Sequence, residues 1–316
     1  MDPLLSVIIC SRNRKVMLSE TLNTVLRLPA PEGLAVEVIV VDNNSNDGSY
    51  ETIRQIDSRK RKLICLQQST GGKAAALNRA LGVSEGQVII FCDDDVKPRA
   101  DWLDAISKPI LQARCDCVAG EVVLAPHLIR PWMNEMHQAW LASTHFIDPN
   151  TPETAIGANM AIHRRVLDKV PQFDEELGPG ALGLWEDTLF SLQLRKAGYS
   201  LAKVPATIVE HHFEPKRLEQ ASFISRAKSE ARSSAYVAWH WNHTNDRPRR
   251  WLIMEYKLRL MLKRLWQRNA RGSSEGIAEW HMNLVTGIEY HRHLRRERLR
   301  PRNYEQFGLR KLKPLC

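Results

Sequence analysis

Several features are missing from this chain of 316 residues, and each absence excludes something. No apolar run approaches 18 residues, so no transmembrane helix is expected. The start lacks a basic n-region, and its apolar run, Leu4 to Cys10, is too short for a signal peptide. Cysteine is sparse: Cys10, Cys65, Cys92, Cys115, Cys117 and Cys316 form no Cys-x-x-Cys pair, which argues against a zinc site or a disulfide framework. Reduced, buried thiols in a cytoplasmic protein follow as the default.

Charge is unevenly spread. The formal balance is +9, yet residues 214–316 hold 23 Lys and Arg against 10 Asp and Glu, while residues 1–213 hold 22 against 26. The excess belongs wholly to the last third, which suggests an anionic partner such as a membrane surface, or else solvated helix faces. From Arg217 onward the pattern is helical, with Arg249-Arg250-Trp251, Lys263-Arg264-Leu265-Trp266 and Arg292 through Arg302 reading as interfacial amphipathic helices that would hold the protein peripherally on the inner face of a membrane. No nucleic-acid-binding motif is visible, and RNA or DNA is not expected as a partner.

The first hundred residues alternate in type. Continuous apolar runs at Leu4–Cys10, Val36–Asp42, Leu63–Gln67 and Val88–Cys92 read as strands, separated by helical stretches at Val16–Leu28, 49–59 and Gly72–Ser84. Apolar strands alternating with helices mark an α/β fold whose parallel sheet is covered on both faces. Ligands of such sheets bind beyond the strands' carboxyl ends, where three polar loops fall: Ser11–Arg14, Asp42–Gly48 and Asp93–Asp95. A nucleotide site is the natural inference. The third loop is the most telling, because three consecutive carboxylates at a strand end are costly without a cation. Hard oxygen ligands on a short turn suit Mg²⁺ or Mn²⁺, metals commonly shared with substrate phosphates.

Four segments then carry a resemblance: Val7-Ile-Ile-Cys-Ser-Arg-Asn-Arg14, Val38-Ile-Val-Val-Asp-Asn-Asn-Ser-Asn-Asp-Gly-Ser49, Gly71-Gly-Lys-Ala-Ala-Ala-Leu-Asn78 and Phe91-Cys-Asp-Asp-Asp-Val-Lys-Pro98. In this order and spacing they resemble family 2 glycosyltransferases with the GT-A fold, over roughly residues 4–213. The resemblance implies an inverting enzyme that uses a nucleotide-sugar, a UDP-sugar by preference, and a divalent metal, Mn²⁺ or Mg²⁺. Asp42 would accept a hydrogen bond from the base, with Ser11, Arg12, Arg14 and Asn44 along the nucleotide. Gly72 and Lys73 would approach the ribose or diphosphate, supported by Asn78. Asp93 and Asp95 match the Asp-x-Asp motif: Asp95 as metal ligand, Asp93 on ribose or metal-bound water, with Asp94 between them on the donor side. The bland alternatives are a helix cap for Asp42 and a solvated charge for Lys73.

Beyond a strand at Cys115–Leu124 the resemblance implies a mixed sheet and an acceptor half. Pro131–Trp140 is helical and aromatic, and reads as core in preference to an acceptor platform. Ile156–His163 reads as a short strand, with Asn159 a candidate near the donor sugar. Gly178-x-Gly180-x-x-Gly183 matches the dinucleotide fingerprint by letter, but no strand precedes it, so a mobile loop is expected instead. The loop leads into Trp185-Glu186-Asp187 at a helix start, whose amides can keep both acids ionised. By resemblance Asp187 would be the general base, Glu186 would bind the acceptor, and Trp185 would stack on a sugar. Either His211 or His212 would add a metal ligand, since strand alternation turns only one inward.

The expected layout is a GT-A catalytic domain at 1–213, with a nucleotide-sugar half at 1–98 and an acceptor half at 99–213, followed by a helical basic region at 214–316. Transfer to a glycan or lipid-linked hydroxyl in cell-envelope or exopolysaccharide synthesis is the expected activity. A metal-dependent nucleotidyltransferase is the alternative, although the first loop lacks the glycine-rich triphosphate cradle it should carry. A catalytically inactive membrane or polyanion adaptor is the third reading, against which the intact acids argue. Transfer retained after truncation near residue 214, with vesicle binding lost, would demote it.

Overall fold

In the computed structural model, which describes residues 4–59, 61–148, 150, 154–247, 249–266 and 274–312, the continuous apolar runs become the central strands. β1 (Leu4–Ser11), β2 (Ala35–Asp42), β3 (Lys62–Gln67) and β4 (Val88–Asp93) lie parallel in the order β3-β2-β1-β4. Their register matters for function. Ser11 pairs with Asp42, Asp42 with Gln67 and Cys10 with Asp93, so every polar loop leaves the sheet at one carboxyl edge.

Helices cover both faces. α1 (Lys15–Arg27) and α4 (Trp102–Leu111) bury Leu18, Leu22, Trp102 and Ile106 against one side of the sheet. α3 (Lys73–Leu81) and α6 (Glu186–Lys196) bury Ala76, Leu77, Phe190 and Leu194 against the other, where Phe173 stacks on Phe190 with ring centroids 4.4 Å apart. α2 (Ser49–Arg54) is shorter than the expected helix over 49–59, because the chain leaves helical geometry after Gln55.

The other half of the sheet is mixed, as expected. β5 (Val96–Pro98), β6 (Cys117–Leu124), β7 (Asn159–His163) and β8 (Leu201–His211) complete the order β3-β2-β1-β4-β7-β6-β8-β5, with β7 antiparallel to β4 and β6. β5 was not legible in advance. Pro98 closes this second short strand, whose edge tolerates a residue without an N–H. β5 pairs Val96 with His211, and that pairing carries His211 to the aspartate loop.

Asn159 is corrected here. It is 1% exposed and its amide is fully engaged: Nδ2 donates to Glu121 O at 2.9 Å and Thr207 O at 2.8 Å, and Oδ1 accepts from Trp102 Nε1 at 2.8 Å. β6 shifts register against β8 between Gly120 and Glu121, freeing carbonyls that Asn159 satisfies. It ties β7 to β6, β8 and α4, and no group is left for a sugar. Pro131–Trp140 holds α5 (Glu135–Trp140), capped by Asn134, with Trp132, Met136 and Trp140 against a core of Leu124, Phe213 and Phe223.

After residue 213 come α7 (Gln220–His240), α8 (Arg250–Trp266) and α9 (Glu279–Glu297). Tyr236 and Tyr304 both donate to Asp174 Oδ2, His240 meets Glu297, and Arg300 bridges Glu176 and Glu297. Arg298 and Arg302 lie over the ring of Trp239. The basic run Arg292–Arg302, expected at an anionic surface, is thus largely engaged within the protein. The five described cysteines are free, and Cys316 lies outside the described residues.

Replacing Asn159 with Ala leaves three buried partners unpaired and should destabilise the protein by on the order of 3 kcal/mol. Urea unfolding checks this; unchanged stability with an altered donor KM would return Asn159 to the site.

Candidate active site

A cavity of about 660 Å³ opens at the sheet's carboxyl edge. Its floor comes from Ser11, Arg12 and Arg14 after β1, Asp93–Asp95 after β4, and Lys73 at the start of α3; Glu186 and Asp187 face them from α6. A larger groove, about 980 Å³, runs outside along α1 and is lined by surface side chains such as Glu20 and Arg27.

In the aspartate turn the three carboxylates take different partners. Asp93 accepts from Lys73 Nζ at 2.7 Å, while Arg14 Nη1 bridges Asp94 at 2.8 Å and Asp95 at 2.9 Å. Ser11 donates to Asp94 at 2.5 Å. Burial pushes Asp94 up to about 6, with the Asp95 charge adding and Arg14 opposing. Burial also works on Asp95, but His211, Arg14 and Arg217 outweigh it and hold its carboxyl well below the usual range.

His211 answers the alternation question. It is buried, and its Nδ1 must carry a proton because it meets the Leu141 carbonyl at 2.8 Å. Nε2 then lies 3.3 Å from Asp95 Oδ2, and Arg217 Nη1 sits 3.2 Å from Nε2 and 3.6 Å from Asp95. A carboxylate and a ring nitrogen converging on one cation is the donor set a hard divalent ion accepts. His212 turns away, to Glu210 and the ring of His127. Among the described residues no three His, Cys, Asp or Glu side chains converge, so Asp95 and His211 are the pair that fits and Asp93 is held by Lys73.

Glycines join the two halves of the cavity. Gly180, at φ +92°, lies so close to Gly72 that a Cβ would stand 3.0 Å from its Cα, and Pro179 O accepts from Lys73 N at 2.9 Å. The expected mobile loop is thus a turn seated on the donor half. Trp185 follows at φ +78°, a left-handed conformation uncommon for a bulky residue and a mark of functional strain. Its indole donates to Glu230 of α7 at 2.9 Å.

Asp187 is held by two backbone amides, Gly157 N at 2.8 Å and Thr188 N at 2.7 Å. Glu186 differs. Burial, reinforced by the Asp187 charge and opposed by Lys73, pushes it up to about 7, so the expectation that helix amides keep both acids ionised is corrected: Glu186 is partly protonated at neutral pH. Lys73 lies 3.4 Å from Glu186 as well, joining α6 to the aspartate turn.

The remaining expected residues fall short of the cavity. Asp42 is fully buried at the end of β2; Oδ2 accepts weakly from Ser45 N at 3.3 Å, and Oδ1 has no partner among the described residues. Asn44 is exposed, and Asn43 takes the lining position, accepting from Gly72 N at 3.0 Å. Asn78 braces the neighbouring loop through Phe173. Sequence reasoning missed the contribution of α7, where Ser222, Ser225, Arg226, Ser229 and Glu230 form one wall. Their i, i+3, i+4, i+7, i+8 spacing beside Phe223 and Ala227 was the available signal. Burial, followed by repulsion from Arg217, lowers Arg226 to about 10, and it makes no hydrogen bond or ion pair among the described residues.

A mixed α/β sheet flanked by helices, with its polar loops gathered at one carboxyl edge, is a GT-A-type fold. The sequence profile described as Glycosyl transferase family 2 matches residues 6–170, and the chain belongs to that family. Among curated proteins, it is 27% identical over 219 residues to the probable glycosyltransferase YdaM of Bacillus subtilis (strain 168), covering 65% of this chain and 50% of that one. It is also 27% identical over 93 residues to the poly(ribitol-phosphate) beta-glucosyltransferase of Bacillus spizizenii, covering 29% and 14%. The chain thus spans half or less of these relatives. Among solved structures, the mannosyltransferase PcManGT from Pyrobaculum calidifontis, in complex with GDP-Man and Mn²⁺, matches with a TM-score of 0.55 at 17% identity, covering 92% of this chain and 70% of that one. S. aureus TarS in complex with UDP-GlcNAc matches at 0.51 and 20%, covering 73% and 65%. At these identities the likeness establishes the fold.

Glu186 gives a pH signature. Its folded value of about 7 lies above the ordinary 4.5, so the folded protein binds the extra proton between those limits. Its contribution to stability is present below about 4.5 and is lost as pH rises through about 7. Glu186→Gln should remove that dependence, gaining on wild type by on the order of 3 kcal/mol between acid and mildly alkaline pH. Parallel urea-unfolding profiles for the two proteins would contradict it.

Proposed function

We propose that this chain is an inverting glycosyltransferase that moves a sugar from a nucleoside-diphosphate donor, by preference a UDP-sugar, to a hydroxyl acceptor. One observation carries the reading: Asp187 is anchored by two amides across a single cavity from the cation-rich aspartate turn, with Lys73 between them.

Donor recognition falls to the sheet edge. Ser11, Arg12 and Asn43 line the nucleotide side, and the spare oxygen of Asp42 suits a base N–H once the adjoining turn admits it. Arg14, Lys73 and Arg217 supply positive charge for the diphosphate, and Asp95 with His211 would hold the divalent ion. Bound there, a divalent ion neutralises the leaving diphosphate.

The acceptor enters between Trp185 and α7. Asp187 takes the hydroxyl proton as the oxygen attacks the anomeric carbon, while the bond to diphosphate breaks on the opposite face; one displacement inverts the configuration. Protonated Glu186 donates a hydrogen bond to acceptor or sugar. The uncommitted Arg226 suits an anionic or polyhydroxylic acceptor, and the name of the poly(ribitol-phosphate) relative supports a cell-envelope or exopolysaccharide glycan.

Asp187→Asn keeps the side chain's shape but can accept from only one of the two amides and loses the base, and should cut kcat by about 10²–10⁴-fold with donor affinity within about twofold of wild type. Calorimetry and initial rates check this pair; unimpaired turnover would remove Asp187 from its role. Arg226→Ala should raise the acceptor KM about tenfold or more, the worth of a charged contact, while the donor KM stays put. An equal rise in both would place Arg226 on the donor instead.

A further inference from the structure

α8 is apolar on two sides, and only one of them is covered. Leu252, Ile253, Tyr256 and Leu260 are half-buried toward α9, where Tyr256 packs on Gly287 and Lys263 lies over the ring of Trp280 at 4.7 Å. Trp251, Met254, Leu258, Met261 and Leu262, at i, i+3, i+7, i+10 and i+11, form a second stripe. Each is more than half exposed, from 51% at Leu262 to 72% at Met254. No other described element gathers so many exposed large apolar side chains. A contiguous stripe of this kind marks an interaction surface.

Charge identifies the occupant. Residues 249–266 contain six Lys and Arg and a single acid, Glu255, which Arg259 engages at 2.5 Å. Lys257 and Arg259 stand exposed on either side of the stripe. We propose that α8 docks this protein on an anionic lipid bilayer, lying flat with the stripe among the acyl chains and the flanking cations on the headgroups. A nucleic acid would meet the cations but leave Met254, Leu258, Met261 and Leu262 in water. The helix is about 25 Å long, enough to lie in the interface, and no described helix is long and apolar enough to cross a membrane. This surface is separate from the cavity and stands independently of the sugar-transfer reading.

The test uses the full chain and vesicle flotation, with phosphatidylcholine alone and with about one-third phosphatidylglycerol. Wild type should bind the anionic vesicles at least tenfold more tightly, with affinity falling as salt is raised. Leu258→Glu with Met261→Glu, at exposed positions that leave the fold unchanged by circular dichroism, should lose at least tenfold. Absence of binding to anionic vesicles overturns the proposal, as does binding that the double substitution leaves intact. A wild-type dimer that becomes monomeric in the variant also overturns it, by assigning the stripe to a second copy.

Discussion

One half-buried cation organises this protein. Lys73 stands at the first position of α3 and holds Asp93, at the end of β4, and Glu186, at the start of α6, in one ionic cluster. Burial alone would drive the proton off this lysine, but the charges of Asp93, Glu186 and Asp187 outweigh it and raise its pKa. The half that would hold the nucleotide and the half that would hold the base are therefore coupled through a single side chain. Removing such a charge strands its partners, which is why a buried pair is costly to break even where its net contribution is small. Backbone contacts repeat the theme, with Pro179 O on Lys73 N and Gly180 against Gly72.

The acids of the site differ because their surroundings differ. Asp95 is surrounded by Arg14, Arg217 and His211 and stays ionised, whereas Glu186 is buried beside another acid and retains its proton into the neutral range. Pairs of carboxyl groups pushed apart in this way are how one cavity offers both an anion for a metal and a neutral hydrogen-bond donor.

Much of this was legible because the strands are buried on both faces and read as unbroken apolar runs. Where such a run ends in Asp or Ser, the residue lies at the sheet edge, so Ser11, Asp42 and Asp93–Asp95 were readable as one edge. What failed depends on partners far along the chain. Asn159 reads in sequence only as a candidate near the donor sugar, because no local pattern announces the register shift at Gly120 and Glu121 that it repairs. Asn43 and Asn44 exchange places on the turn, with Asn44 in a left-handed conformation at φ +59°. His211 and His212 could be separated only by the pairing of β5 with β8, and β5 is three residues long. α7 looked like part of a basic extension; its serine stripe faces the cavity, so truncation near residue 214 removes a wall of the site together with the basic surface.

Calorimetry decides whether the sheet edge holds a metal-assisted nucleotide-sugar site. UDP, GDP, dTDP and CMP are titrated with and without Mn²⁺, into wild type and Asp95→Ala. One nucleotide, UDP by preference, should bind only with the metal, and the substitution should abolish this binding. Failure of every nucleotide to bind in the presence of Mn²⁺, or equal binding by Asp95→Ala, would contradict it.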